Sequence, residues 1–457
     1  MLSSSAKIIP ILSVFAAAMS PQTFSNAVVL ICGTILTSGP HMVSSALRAV
    51  GLGDDSRFCT SYRFFNRARW SAMVMGWLLL KLIIRTFPGL RIVIAVDETL
   101  VRRRGKKIVW KSYFRDAVRS TAGHVVTTMG IRWLCFCVLV EVPWSSRPWA
   151  LPFMTVPILS EKRCAQLRKR YHSPLEWTAF IMGRIRRWFP DREIRLTADG
   201  GFASIELVSR MQKIDKPVPM VCRGRIDMVL HAHAPVKKPK GQRGFIAKKG
   251  ARQPKLKDRL VDPTTEWTRI VMSCYGGLKE TVDVFSGVSL WYTPGQDPVM
   301  LRWLLVKPLS KGEPGYGSDL KPAVYISSDP DLSTEEILAL AVGRWNIEVT
   351  FEEMRAHMGL ETQRDWSIKS IGRKAPCLFG TFSLVVIIAK QLNLELHCEQ
   401  ASPWYKKREP TFSDVLAAVR LHLLGKLEVV KSYSGDDYYL IPAHMFEPMR
   451  QTVAYAR

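Results

Sequence analysis

Apolar positions change their period several times along this chain. From 1 to 88 they come in short blocks at helical spacing, broken near Pro21, Gly39–Pro40 and Gly51–Gly53, so this region reads as helices. Between 89 and 202 they condense into runs that read as strands: RIVIAVD (91–97), IRWLCFCVLVEV (131–142) and EIRLTAD (193–199). A helical pattern, PLEWTAFIMGRIRRW (174–188), lies between the last two. Short strands divided by Gly, Pro and charge fill 203–330, a β-rich region. After Pro330 the segment DLSTEEILALAVGRWNIEVTFEEMRAHMG opens with Ser333 and Glu336 at capping-box spacing and keeps a helical period to Gly359. The second half of an interrupted layer is expected over 331–400 and a mainly helical C-terminal region over 401–457. Strands, helix and strand in this order predict an α/β layer.

Three apolar stretches test a membrane reading. Residues 7–18 (KIIPILSVFAAA) have the cationic start and apolar run of a signal peptide, and 73–87 and 377–389 are strongly apolar. None reaches the 18–20 uncharged residues of a span, and Lys81 interrupts the second, so buried helices explain them better. The nine cysteines form no even framework, which fits a reducing compartment; His231 and His233 alone read as surface.

Charge changes the picture more. Lysine and arginine number 65 against 39 acids, a net charge of +26, which suits a polyanionic partner. Inside the β-rich region, 237–259 (KKPKGQRGFIAKKGARQPKLKDR) holds ten cations and one acid, either a solvated loop or an arm for a phosphate backbone.

Against this background three carboxylates stand out. Asp97 ends one apolar strand and is followed by Arg102, Arg103, Arg104, Lys106 and Lys107; Asp199 ends another, before Gly200 and Gly201. Acids at the carboxyl ends of neighbouring strands project into one crevice. On the 331–359 helix, Arg344, Glu348 and Arg355 fall within about 40° on the wheel, at the rim of an apolar face that includes Ile347, Phe351 and Met354. Each acid alone is consistent with an ordinary salt bridge. Together they suit two Mg²⁺ or Mn²⁺ ions for phosphoryl transfer, with Asp97 bridging and Asp199 and Glu348 each holding one ion. Glu352 and Glu353 lie close enough to Glu348 to take its place.

The order AVDET, TADGGF, RWNIEVTFEEMRAHMGLE resembles the bacterial insertion-sequence DDE transposases, and FFNRARWSAMVMGWLLLKLI and VDETLVRRRGKK add to the likeness over roughly 30–370. The resemblance implies a ribonuclease H-like catalytic core (89–202 and 331–400) interrupted by a β-rich insertion (203–330), with helical N-terminal (1–88) and C-terminal regions. It implies a metal-dependent DNA endonuclease and strand transferase with Asp97, Asp199 and Glu348 as catalytic ligands. In hairpin-forming members a tyrosine, arginine, glutamate and lysine surround this helix site; Arg344 and Glu348 match, Arg355 stands at the lysine position, and Ala341 departs from the tyrosine. Trp303, in LRWLLVKP, stands where some relatives stack a flipped base, or is a core residue. Arg102, Arg103, Arg104, Lys248 and Lys249 are further expected DNA contacts. The implied partners are terminal inverted repeats and target DNA, bound by a dimer with the N-terminal helices at the ends, in the bacterial cytoplasm beside the nucleoid. The alternative is a catalytically inactive descendant that only binds DNA.

Overall fold

A computed structural model of the chain describes residues 7–116, 119–121, 123–234, 247–273, 279–309, 321–398, 406–424 and 453–454. An apolar helical segment, Ile9–Ala18, precedes α1 (Pro21–Leu36), α2 (Val43–Ala49), α3 (Phe58–Asn66) and α4 (Ala72–Thr86). Ile8, Ile11, Leu12 and Phe15 of the signal-like stretch are buried in the main core. Then come β1 (Arg91–Arg102), β2 (Ser112–Arg115), β3 (Thr127–Val140), β4 (Trp149–Ile158), α5 (Pro174–Trp188), β5 (Glu193–Ala198), α6 (Ile205–Lys213) and β6 (Met220–Gly224).

The strands of this half run in the order β4-β3-β1-β5-β6. β3 is antiparallel to both β4 and β1, while β1, β5 and β6 are parallel neighbours. Three antiparallel strands followed by two parallel ones give the expected ribonuclease H-like layer. Each parallel step uses a crossover helix. The first, α5, is started by Ser173: its Oγ accepts from the Glu176 N–H at 3.1 Å, and the Glu176 carboxylate accepts from the Ser173 N–H at 2.9 Å. Its buried stripe is Thr178, Ile181, Met182 and Ile185.

The β-rich region continues with β7 (Leu230–His231), β8 (Thr268–Ser273), β9 (Lys279–Trp291), β10 (Val299–Pro308) and β11 (Ala323–Ser327). It extends the core sheet, because β11 pairs antiparallel with β6 and β10 pairs with β11, making one sheet of 11 strands. The expected boundary at 203 is therefore corrected: α6 and β6 belong to the core, and the insertion begins after Gly224. The reason is that Met220, Val221 and Cys222 are buried and pair with Leu196, Thr197 and Ala198 of β5. Residues 235–246, which include the front of the basic arm, lie outside the described residues.

Helices return with α7 (Thr334–Gly343), α8 (Asn346–His357), α9 (Ile368–Gln391) and α10 (Phe412–Leu424). The capping box of α7 forms as expected, Glu336 N–H to Ser333 Oγ at 3.2 Å. Most of 401–457 beyond α10 lies outside the described residues. By length and composition α9 could cross a membrane, yet 78% of its most apolar window is buried, against β4 and α4. In α4, Lys81 is exposed and its ammonium lies 4.9 Å from the Trp77 ring.

Close approach of α4 to β4 depends on Gly76, where an added Cβ would stand 2.7 Å from the Phe153 carbonyl oxygen. Gly76→Leu is expected to lower unfolding free energy by about 1–3 kcal/mol in urea titration, while Lys81→Ala on the outer face changes it by less than about 0.5 kcal/mol. Equal effects would show that α4 does not seat on β4 through Gly76.

Candidate active site

Parallel pairing of β1 with β5 sets the site. The register runs Ala95 to Thr197 and Val96 to Ala198, so Asp97 and Asp199, one residue further along, stand level. β5 ends there, but β1, expected to end at Asp97, runs on beside β3 to Arg102, so Asp97 is a mid-strand residue next to the end of β5. Level residues of parallel neighbours project to the same side of a sheet. Asp199 is held by its own turn, its Oδ1 accepting the Gly201 N–H at 2.9 Å. Asp97 Oδ1 accepts the Glu98 N–H at 2.7 Å.

The third acid comes from α8. The expected single helix over 331–359 is interrupted, because α7 ends at Gly343 and α8 starts at Asn346. Across the join the backbone bonds tighten to i, i+3 spacing: Trp345 N–H to the Val342 carbonyl, Ile347 to Arg344, Glu348 to Trp345. Ile347, Phe351 and Met354 are buried beneath, and Thr350 Oγ1 donates to the Ala150 carbonyl of β4 at 2.8 Å. This clamps the helix on the sheet. From the join Arg344 donates both to Asp97 Oδ2 at 2.7 Å and to Glu348 Oε1 at 2.8 Å. One guanidinium thus ties the first and third acids together. Of the other two glutamates considered for that role, Glu352 is exposed and Glu353 lies 3.2 Å from His357 Nε2.

Burial pushes the Asp97 carboxyl up to about 7; Arg344 opposes the rise, while Asp199 and Glu348 add to it. Asp97 therefore senses both other carboxylates. Among the described residues no group of three acidic, histidine or cysteine side chains is arranged to hold a metal ion. The donor set, carboxylate oxygens only, is nevertheless the kind that hard divalent cations take, and Arg344 supplies the positive charge between Asp97 and Glu348.

Other expected site residues divide by environment. Arg355 donates to Thr99 Oγ1 of β1 at 2.6 Å and is half-buried, and burial lowers its basicity. Arg102 pairs with Asp116 at 3.0 Å and Glu361 at 3.4 Å. Arg103 is buried and donates to the Gln363 and Asp365 carbonyls, pinning the chain beyond α8. Arg104, Lys106 and Lys107 stay exposed. Lys248 pairs with Asp297 at 3.0 Å; Lys249 lies 3.0 Å from His231 Nε2, and His231 is buried rather than at the surface.

Trp303 lies in the core, 6% exposed, with its indole N–H donating to Ser289 Oγ at 2.8 Å. Gly287 opposite it makes room, since a Cβ there would come within 2.6 Å of the ring. Of its two readings, this is the position of a core residue, enclosed and offering no face to a base. Ala341 packs on the apolar cluster of the insertion.

Sequence reasoning missed Trp345, 43% exposed, whose ring centroid is 5.8 Å from the Arg344 guanidinium carbon. It also missed the pair Glu98–Arg132 at 3.2 Å. An RW dipeptide four and three residues before an acid on a helix was the available signal for Trp345. Nothing local marks Arg132, which reaches Glu98 only through strand pairing.

Because the folded pKa of Asp97 (about 7) exceeds its ordinary value of 3.8, the native state binds the proton more tightly. Stability is then lost as pH rises through that window. Asp97→Asn, in chelator, is expected to become more stable than wild type as pH goes from 4 to 8, by at most about 4 kcal/mol at about 1.4 per unit. Parallel stability curves for the two proteins would contradict this.

Comparison with known proteins places these residues in context. The family model described as DDE superfamily endonuclease matches residues 15–281, a span that includes Asp97 and Asp199. No curated protein sequence matches. Among solved structures, the cryo-EM piggyBac transposase synaptic complex with hairpin DNA aligns over 90% of this chain and 75% of that chain. Its identity of 12% and TM-score of 0.37 are too low to bear on the chemistry. With the family model covering more than half its length, the chain belongs to the DDE superfamily endonucleases.

Proposed function

We propose that this protein is a DNA transposase that cuts at the ends of a mobile element and joins the freed 3′-hydroxyls to target DNA, working as a dimer because two ends must be held together. The observation that carries this reading is the level placement of Asp97, within β1, and Asp199, at the end of the parallel neighbour β5, with Glu348 tied to Asp97 through Arg344.

Asp97, Asp199 and Glu348 are the residues that would hold Mg²⁺ or Mn²⁺. When bound, such ions lower the pKa of an attacking water or hydroxyl and stabilise the leaving oxygen of an in-line phosphoryl transfer. The chain itself does the positioning. Strand pairing orients the two aspartates, and the Gly201 N–H fixes one oxygen of Asp199. Burial of Ile347, Phe351 and Met354 seats α8 on the sheet, where Arg344 ties Glu348 to Asp97. Arg344, a planar two-pronged donor, can exchange its two carboxylate partners for two oxygens of a scissile phosphate. Arg104, Lys106 and Lys107, exposed just beyond β1, add positive charge on the approach to the site.

A second reading, a DNA-binding descendant without activity, draws on one observation: Arg344 already pairs with both Asp97 and Glu348. Cleavage of a labelled duplex carrying an element end, with Mg²⁺ or Mn²⁺, separates the two. Wild type is expected to cut and to give strand-transfer products. Asp97→Ala, Asp199→Ala and Glu348→Ala should each bind the duplex while losing about 10³-fold or more in rate, as removal of several kcal/mol of transition-state stabilisation demands. Binding without cutting by wild type would favour the second reading, and cutting without joining would leave a nuclease.

A further inference from the structure

The first 96 residues carry nine lysines and arginines but only two acids, Asp54 and Asp55. Three of these cations converge. Arg63 and Arg67 at the end of α3, and Arg69 just after it, line a surface cleft with Thr60 and with Thr23 and Asn26 from the start of α1. No carboxylate lines this cleft, and among the described residues none of the three guanidiniums has an ion-pair partner. Several exposed arginines elsewhere do have an acid beside them: Arg210 with Glu206 at 2.7 Å, Arg225 with Asp227 at 2.7 Å, Arg269 with Asp283 at 2.9 Å.

Cations do favour the last turn of a helix, by about 0.3–1 kcal/mol. That accounts for one arginine beside the α3 carbonyls. It does not account for three of them facing the start of α1, a helix with no acid in its first turn. Like charges gathered without a counter-ion repel one another, and an anion relieves that repulsion. The cleft offers guanidinium forks flanked by hydroxyl and amide side chains, the donor set of a phosphodiester oxygen pair. Beside it on α3, Phe58 and Tyr62 are 49% and 40% exposed, edge to face at 6.2 Å.

We propose that this cleft is a seat for backbone phosphates of duplex DNA, engaged without regard to sequence. The inference rests on the endonuclease reading and names a surface that holds its substrate away from the carboxylates. Mutation should therefore weaken binding uniformly across sequences and flatten its salt dependence.

The test is fluorescence anisotropy of a labelled random-sequence duplex with the full chain, in chelator, over a series of KCl concentrations. Arg63→Gln, Arg67→Gln and Arg69→Gln are combined. A control triple removes equal charge at Arg210, Arg225 and Arg269, each paired to its own carboxylate. Thermal melting checks that both fold. The cleft triple should lose about 10- to 100-fold in affinity near 0.1 M salt, and its log–log salt slope should fall by about 3, one for each phosphate no longer neutralised. The control should change by less than about 3-fold, as a diffuse-field effect. Equal losses in the two triples would overturn the proposal while leaving the endonuclease reading in place. Wild type that shows no salt-sensitive duplex binding would overturn both.

Discussion

Everything at the candidate site depends on the parallel pairing of β1 with β5. Val96 opposite Ala198 means that Asp97 and Asp199 emerge level, from strands that are neighbours in the sheet though a hundred residues apart in the chain. A slip of one residue would turn one of them to the other face. Ile92, Ile94 and Val96 on one strand and Ile194, Leu196 and Ala198 on the other fill the core, and a slip of β5 would exchange its three for Arg195 and Thr197 on that face, which opposes it. Hydrophobic burial thereby fixes the position of two charges.

The charges in turn strain the site. Asp97 lies among Asp199 and Glu348 in a partly desolvated corner, and its carboxyl is pushed up towards neutrality despite Arg344. Unrelieved, such an arrangement costs stability. A site that binds cations and phosphates gains from it, since the same repulsion becomes attraction for a positive ligand. Arg344 supplies the countercharge within the chain and can be displaced from the acids by something more positive.

Much of this was legible in the residues. Apolar runs before Asp97 and Asp199 announced the strands, though β1 continues past Asp97 to Arg102 because it stays paired with β3, and the Ser333–Glu336 box announced α7. The insertion boundary was not legible, because β6 is five residues long and its membership in the core follows from pairing with β5. Nor was the join at Arg344–Trp345, since every residue there is compatible with an unbroken helix. Basic clusters misled for a related reason. Arg102 and Arg103 look free in the sequence, yet acids and carbonyls from distant segments, Asp116, Glu361, Gln363 and Asp365, engage them. Three arginines without an acid partner among the described residues, Arg63, Arg67 and Arg69, lie earlier, beside the N-terminal helices, where the scarcity of acids was visible but the convergence on one cleft was not.

The central claim is that Asp97, Asp199 and Glu348 act as one cation-binding unit. Calorimetric titration of Mn²⁺ into the DNA-free protein tests it without requiring turnover. Wild type should bind, and Asp97→Asn, Asp199→Asn and Glu348→Gln should each weaken binding by tenfold or more, about 1.4 kcal/mol. Mn²⁺ binding that is unchanged in Glu348→Gln would contradict the account, leaving the α8 glutamate as no more than a partner for Arg344.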